Sequence, residues 1–338
     1  MEKKTSPSSA QGAARTAKQI EEHFARDSVV CEFPRSPSPE EIDRAAALIR
    51  QGKLVAFPTE TVYGLGANAL DTGAVHRIFQ MKGRPFTSPL IVHVSSIEMA
   101  KALVTEWPPR AEELARKYWP GPLTLVLRKM PQIPDEVTAG LATVGIRMPS
   151  HPVALALIAA AGVPIAAPSA NRFTELSPTT ADHVRKAFGS ELEMILDGGP
   201  ADVGIESTVV SLVSGQPVLL RPGMISLGEI PTATEPITEA HSSPGQHPKH
   251  YSPRTPLLLV ENAVLPQSGR GAYLGWQKST AAAKFVLMPA NARDYAARLY
   301  KVLHEADSES WDWIAVEKPP ATSDWAAIQD RLRRAAAR

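Results

Sequence analysis

Basic residues recur beside apolar segments, where a folded chain places its ligand-binding loops. Lys82 and Arg84 follow a helix-like segment in the stretch KGRP, and Arg147 and Arg221 lie in apolar, strand-like runs. An arginine in such a run needs either solvent or an anionic partner. Taken alone, Lys82 and Arg84 favour a solvated helix end over a ligand site. An ammonium beside a planar guanidinium also suits a polyphosphate or a carboxylate.

Hydroxyl groups accompany these cations. They belong to Thr61, Ser88, Thr143, Ser169, Ser177 and Ser207. Ser169 follows an apolar strand in the stretch PSAN, and small polar residues at a strand's exit are typical of ligand loops. His93 lies in an apolar strand, and by itself it indicates a core histidine with satisfied hydrogen bonds. Together, the cations and hydroxyls predict a cleft for a highly charged anion and a small polar ligand.

The stretch FPTETVYGLGANAL, residues 57–70, contains a candidate dinucleotide turn, because Gly64–Ala69 spells G-x-G-x-x-A. A dinucleotide fingerprint leads directly from a strand into a helix. Here the helix begins only after Asp71, and no acidic residue closes a second strand about twenty residues further on. We therefore interpret Gly64–Ala69 as a glycine-rich loop whose backbone lines the cleft.

Composition limits the class of protein. The chain has 338 residues, 43% of them hydrophobic, which suffices for two domains. A formal net charge of +1 does not indicate a strongly basic nucleic-acid binder. The single cysteine, Cys31, excludes a disulfide framework and a cysteine-based zinc site, and His241, His247 and His250 match no standard metal spacing. We see no secretory signal or membrane-spanning run, and we expect a cytoplasmic protein.

Hydrophobic periodicity and capping residues predict the elements that position these side chains. The predicted helices cover 39–51, 72–81, 97–104, 109–118, 153–161, 294–306 and 326–337. The predicted strands cover 54–57, 89–94, 123–128, 143–149, 163–167, 207–212, 218–223, 256–261, 271–276 and 311–317. Helices and strands mix without a regular βαβ rhythm before residue 231, so we expect a mixed sheet there. After residue 256 they alternate, which predicts a small α/β domain.

Nine motifs occur in a characteristic order. They are FPTETVYGLG, KGRP, SPLIVHV, WPGPLTLVL, VGIRMPSHPVA, PSAN, ESTVV, LRPG and SPGQHPKHYSP. In this order they resemble the threonylcarbamoyl-AMP synthase family, also called the Sua5/YrdC family. The resemblance implies an α/β YrdC-like domain with a twisted mixed sheet and an open cleft at 33–230, a linker or lid at 231–255, and a smaller Rossmann-like α/β/α Sua5 domain at 256–338. Residues 1–32 match nothing in that family, and their polar composition predicts a mobile extension.

The resemblance also implies a function. Family members make L-threonylcarbamoyladenylate from L-threonine, bicarbonate and ATP, with Mg²⁺ on the ATP and release of pyrophosphate. The product feeds the machinery that forms N6-threonylcarbamoyladenosine (t6A) in tRNA. The residues implied to bind threonine are Thr61, His93, Arg147, Ala167 and Ser207. Those implied to bind ATP are Arg84, Ser88, Thr143, Ser169, Asn171, Ser177, Arg221 and Tyr251, and Lys82 and Arg84 are implied to be catalytic. We expect no metal ligand from protein side chains and no membrane partner.

Two alternatives stay open. An RNA-binding protein without catalysis would suit tRNA as the downstream target, but the near-neutral charge opposes strong RNA binding. Carbamoyl transfer from carbamoyl phosphate occurs in hydrogenase-maturation proteins with a similar domain, but one cysteine cannot supply their zinc finger. The sequence leaves the oligomeric state open, and also whether the C-terminal domain regulates the site or only braces it.

Overall fold

The structure, a computed structural model, describes residues 36–214, 216–228 and 250–337, which fall in one compact unit. The predicted N-terminal extension (1–32), Cys31, His241, His247 and most of the predicted linker lie outside the described residues. Two sheets organise the described chain, one mixed and one parallel. Each sheet carries its own helices.

Nine strands form the mixed sheet. They are β1 (Val55–Phe57), β2 (Gly64–Asn68), β3 (Ile91–His93), β4 (Leu123–Arg128), β5 (Thr143–Arg147), β6 (Ile165–Ala166), β7 (Met194–Ile195), β8 (Thr208–Ser211) and β9 (Val218–Arg221). Their order is β7-β1-β2-β6-β3-β5-β4-β8-β9. The pairs β1–β7, β3–β5 and β4–β8 are parallel and the other pairs are antiparallel, so the predicted mixed sheet is confirmed.

The helices of this domain cover both faces of the sheet. They are α1 (Pro39–Arg50), α2 (Thr72–Lys82), α3 (Ile97–Lys101), α4 (Pro109–Tyr118), α5 (Asp135–Thr138), α6 (Pro152–Ala161) and α7 (Ala181–Phe188). Along β1, Val55 and Phe57 pack with α1 and α6, whereas Ala56 packs with α2 and α7. Successive side chains of a strand point to opposite faces, so the sheet has a hydrophobic core on each side.

Local sequence signals set the helix ends as predicted. Ser38 and Glu41 form a capping box at the start of α1, and the Asp71 side chain accepts a hydrogen bond from the Ala74 amide at the start of α2. Gly162 ends α6 with a positive φ of 67°, a conformation that costs glycine little. The short elements α5, α7 and β7 were not predicted.

The interpretation of Gly64–Ala69 as a loop is wrong, because Gly64–Asn68 is β2, paired antiparallel with β1. A Cβ on Gly66 would lie 2.7 Å from Cε1 of Phe57 and 2.9 Å from Cγ2 of Ile165. The glycine therefore allows close packing between strands rather than flexibility. Only residues 58–63 form the turn between β1 and β2.

The C-terminal domain is a small parallel α/β unit. Its elements are β10 (Leu257–Val260), β11 (Gly271–Gly275), β12 (Lys284–Leu287), α8 (Ala292–Asp307), β13 (Trp313–Glu317) and α9 (Ala326–Ala335), with strand order β10-β13-β11-β12. The α/β prediction is confirmed, although β12 was missed. The core of this domain also takes in Val62, Leu176, Ile205 and Tyr251 from earlier in the chain. Within the described ranges, each helix is too short or too polar to cross a lipid bilayer.

Candidate active site

A cavity lies at the carboxyl ends of β3 and β5. The turn between β1 and β2, the segment after β6, residues 206–207 and residues 250–251 complete its walls. The predicted site residues that line it are Thr61, Arg84, His93, Arg147, Ala167, Ser169, Ser207, Arg221 and Tyr251. The fold thus brings together most of the residues implied to bind threonine and ATP.

Strand register places an imidazole beside a guanidinium at one end of the cavity. β3 and β5 are parallel, and His93 pairs with Arg147 in their register. Because both side chains project from the same position on neighbouring strands, they face the same side of the sheet. Ala167, the residue that follows β6, lies beside them, since its amide donates a hydrogen bond to the Ile91 carbonyl.

Arg147 is held by the 59–61 turn and keeps donors for a ligand. Its Nη1 donates to Thr61 Oγ1 at 2.8 Å, and Thr61 Oγ1 lies 2.9 Å from Thr59 Oγ1. Its Nη2 lies 2.8 Å from Glu60 Oε1, an ion pair whose angles do not make a hydrogen bond. Among the described residues, Nε and Nη2 of Arg147 have no hydrogen-bond acceptor. A buried planar fork with open donors suits a carboxylate.

His93 is a neutral side chain at neutral pH. Burial, together with the charge of Arg147, lowers the pKa of His93 to about 3. Its ring packs edge-on against Phe57, with centroids 6.0 Å apart, and its Nδ1 has no hydrogen-bond partner among the described residues. A neutral, oriented imidazole can exchange a hydrogen bond with a small polar ligand without adding charge.

Two arginines supply positive charge elsewhere on the cavity wall. Arg84 Nη2 donates to Ser88 Oγ at 2.5 Å and to the Pro89 carbonyl at 3.0 Å. Arg221 donates from Nε to the Ser207 carbonyl and from Nη2 to Ser207 Oγ, both at 3.1 Å. Burial lowers the pKa of Arg84 to about 10, which leaves it charged at neutral pH. These bonds fix two guanidinium groups that a polyphosphate could contact.

Lys82 does not line the cavity but fixes the loop that does. Its Nζ donates to the Ser169 carbonyl at 2.6 Å and, more closely, to the Asn171 carbonyl. Burial, with the charge of Arg84, holds the pKa of Lys82 well below its usual range. Asn171 in turn donates to the carbonyls of Arg172 and Glu175. The two motifs KGRP and PSAN are thus joined by hydrogen bonds, while the catalytic role of Lys82 stays a prediction.

Three further predicted residues also lie outside the cavity lining. Ser88 lies behind Arg84 as its hydrogen-bond acceptor. Ser177 is buried and donates to Glu206 Oε1 at 2.6 Å. Thr143 opens β5 and lines a separate small cavity that also contacts Pro89. Their predicted contacts with ATP stay predictions.

Tyr251 covers one side of the cavity. It is 1% exposed, has a positive φ of 60°, and its hydroxyl has no hydrogen-bond partner among the described residues. The preceding His250 lines the same cavity and packs against the Tyr251 ring, with centroids 4.1 Å apart. Hydrogen bonds anchor this segment on both sides, from the His250 amide to the Arg334 carbonyl and from the Ser252 amide to the Thr174 carbonyl.

Sequence reasoning missed two buried carboxylates. Glu60 pairs with Arg147, and Glu206 lines the cavity next to Ser207. Both lie inside recognised motifs, PTET and ESTVV. The sequence feature that could have identified them is an acidic residue directly beside a predicted ligand-binding residue. Across residues 36–214, 216–228 and 250–337, no group of three or more His, Cys, Asp or Glu side chains could hold a metal ion.

The fold and the cavity together define a class. It is a YrdC-like mixed α/β domain with a cation-lined site, followed along the chain by a small parallel α/β domain. A family model described as "Telomere recombination" (Sua5_yciO_yrdC) matches residues 47–223, and one described as "Threonylcarbamoyl-AMP synthase, C-terminal domain" matches residues 216–337.

Curated relatives carry the same family name. A threonylcarbamoyl-AMP synthase of Pyrococcus abyssi is 42% identical and aligns over 86% of this chain and 92% of its own length. That of Bacillus subtilis is also 42% identical, over 89% of this chain and 94% of its own. The chain belongs to the threonylcarbamoyl-AMP synthase family.

Solved structures agree with this assignment. A crystal structure of P. abyssi Sua5 complexed with L-threonine matches with a TM-score of 0.83 and 39% identity, over 89% of this chain and 96% of that one. The E. coli YciO structure matches with a TM-score of 0.50 and 23% identity over 57% of this chain, which supports the fold of the first domain.

Proposed function

We propose that this protein condenses L-threonine, bicarbonate and ATP into L-threonylcarbamoyladenylate and pyrophosphate. The observation that carries the proposal is the single cavity in which Arg147 keeps open donors while Arg84 and Arg221 add fixed positive charge. A relative with 39% identity has been solved with L-threonine bound, which supports threonine as the small ligand.

Threonine would bind at the Arg147 end. The guanidinium would take the carboxylate, because its Nε and Nη2 lack hydrogen-bond acceptors among the described residues. Thr61, His93 and Ser207 would read the side-chain hydroxyl and the amine. The neutral His93 suits this task, since a second cation would repel the threonine ammonium.

ATP would bind across Arg84 and Arg221, beneath Tyr251. Two buried guanidinium groups compensate part of the triphosphate charge, and Mg²⁺ on the phosphates would supply more. Phosphate oxygens and water would provide most of the Mg²⁺ ligands, because Glu206 is already engaged by Ser177 and Arg331 and Glu60 pairs with Arg147. Mg²⁺ would therefore enter with the nucleotide and neutralise charge on the leaving pyrophosphate.

The chemistry needs no side-chain nucleophile. With CO₂, the threonine amine would attack the carbon and release one proton, giving a carbamate. With bicarbonate, the same proton would leave together with the hydroxyl group as water. A carbamate oxygen would then attack the α-phosphorus in line, and the bond to the β-phosphate would break to release pyrophosphate. The protein would contribute positioning and fixed positive charge in a cavity shielded by His250 and Tyr251.

The product would serve tRNA modification. A threonylcarbamoyl adenylate is an activated acyl donor, and its consumption requires machinery that transfers the group to tRNA, forming t6A. We place this reaction in the cytoplasm, where ATP and tRNA are both available.

The test is pyrophosphate release from ATP with threonine and bicarbonate each present or omitted, and with the adenylate product identified by mass. Release that requires both substrates is the expected result. Release that needs neither would indicate a nucleotide hydrolase and refute the proposal. A folded protein that releases none, yet binds RNA with a salt-sensitive affinity, would favour the RNA-binding alternative.

A further inference from the structure

Glu206, a buried carboxylate of the first domain, is held mainly by the second. Its Oε2 accepts a hydrogen bond from Arg331 Nε at 2.7 Å, and the Tyr300 hydroxyl lies 3.2 Å from the same oxygen. Arg331 lies on α9 and Tyr300 on α8, both in the C-terminal domain. Ser177 supplies the remaining close donor, to Oε1. With these donors in place, Glu206 is neither an open metal ligand nor a general base.

Arg331 connects this carboxylate to the cavity cover. Its side chain is fully buried, and its guanidinium lies over the Tyr251 ring, 5.3 Å from the centroid. Its Nη1 donates to Asp330 at 2.8 Å, which fixes the plane of the fork. A cation shielded from water is attracted to an aromatic face more strongly than an exposed one. One side chain thus contacts both Glu206 and Tyr251.

The energetics favour a positional role over a purely stabilising one. A buried ion pair pays a large desolvation penalty, and well-packed apolar residues in its place are often as stable. The hydrogen bonds of such an ion pair are directional, however, and they fix the positions of the groups that they join. Here they fix the residue before Ser207, the hydroxyl of Ser177 and the ring of Tyr251. Ser177 and Tyr251 belong to the predicted ATP-binding set, and Glu206 adjoins Ser207 of the predicted threonine-binding set.

We propose that Arg331 is a positioning residue through which the C-terminal domain holds Glu206 and the Tyr251 ring in the geometry that receives ATP. This inference rests on the proposed function for the identity of the nucleotide. In this role the C-terminal domain braces the site through its contacts with Glu206 and Tyr251.

Three variants test the proposal. Arg331→Lys keeps the charge beside Glu206 but loses the planar fork. The double variant Glu206→Gln with Arg331→Met removes both charges and leaves no buried ion unpaired, so it keeps the test valid if Arg331→Lys does not fold. Arg333→Met is the matched control, because Arg333 is an exposed arginine on the same helix.

Two readouts are independent of turnover. Hydrogen exchange of the His250 and Ser252 amides reports the anchoring of the Tyr251 segment, and equilibrium binding reports the affinity for Mg-ATP. In Arg331→Lys and in the double variant we expect exchange at these amides to rise at least tenfold and ATP affinity to fall about tenfold, with a smaller change in kcat. Arg333→Met should match the unaltered protein.

Unchanged exchange and unchanged ATP affinity in a folded Arg331→Lys or double variant would overturn the positioning role. The two proposals fail separately. If the unaltered protein binds ATP but releases no pyrophosphate with threonine and bicarbonate, the reaction is refuted, while a response of exchange and ATP affinity to Arg331→Lys still supports the positioning role.

Discussion

Replacing Arg147 with lysine should damage threonine binding while leaving ATP binding intact. Lysine keeps a positive charge beside Glu60, so the buried carboxylate is not left uncompensated. It loses the fork, however, and with it the arrangement in which Nη1 bonds Thr61, Nη2 pairs with Glu60, and Nε has no acceptor among the described residues. The substitution therefore removes the planar arrangement of donors but keeps the positive charge.

The expected magnitude follows from the donors lost. A hydrogen bond to a charged group contributes about 1.5–3 kcal/mol. Losing one of the two bonds to the threonine carboxylate therefore raises the KM for threonine by roughly 10- to 150-fold, at about 1.4 kcal/mol per tenfold. The KM for ATP should change less than about threefold, because Arg84 and Arg221 are untouched.

Pyrophosphate release measured against threonine at saturating ATP, and against ATP at saturating threonine, separates the two effects. Arg128→Lys is a matched control, since Arg128 is an exposed arginine at the end of the neighbouring strand β4. Thermal unfolding checks that both variants are folded. A folded Arg147→Lys with an unaltered KM for threonine would refute the assignment of Arg147 to the carboxylate.

Three further outcomes are expected. Tyr251→Ala should raise the KM for ATP about tenfold or more, within the 1–3 kcal/mol of an aromatic contact with a base, whereas Tyr251→Phe keeps the ring and should not; unchanged ATP dependence in the alanine variant would remove the role as a cover. Since the folded pKa of His93 is about 3, the unfolded chain takes up the proton first as pH falls. This uptake by the unfolded chain should lower the free energy of unfolding by about 2 kcal/mol between neutral pH and pH 5. In thermal unfolding, a folded His93→Gln variant should lose correspondingly less stability over the same pH range. Gly66→Ala should lower stability by about 1–3 kcal/mol in denaturant titrations, because its Cβ meets the Phe57 ring; a neutral effect would contradict the packing explanation.

Much of the secondary structure could be predicted from the sequence because local residue preferences and tertiary packing favour the same conformation. The capping box at Ser38, the Asp71 cap and the Gly162 stop each set a helix end from neighbouring residues alone. β2 escaped prediction because its two glycines indicate a loop by local propensity. Its strand conformation comes from pairing with β1 and β6, which a local pattern does not contain.

The site shows the same division. Arg147 and Arg221 stood out because a cation in an apolar run demands an explanation, and the structure places both on the cavity wall. Lys82 was grouped with its neighbour Arg84, yet its helical position directs it to the carbonyls of Ser169 and Asn171. Arg331 could not be found, because its significance lies in contacts with Glu206, 125 residues away.

The buried cations around the cavity have one consequence for the protein's lifetime in a cell. Next to the larger effect of burial, the charge of Arg84 lowers the pKa of Lys82, and that of Arg221 lowers the pKa of Arg84, because like charges repel across a poorly solvated interior. A bound polyanion relieves that repulsion, so it stabilises the folded chain by an amount that grows with the logarithm of its free concentration above Kd. With ATP as that polyanion, as proposed above, proteolysis of the unfolded fraction would rise when ATP becomes scarce, and the abundance of the protein would follow the supply of ATP.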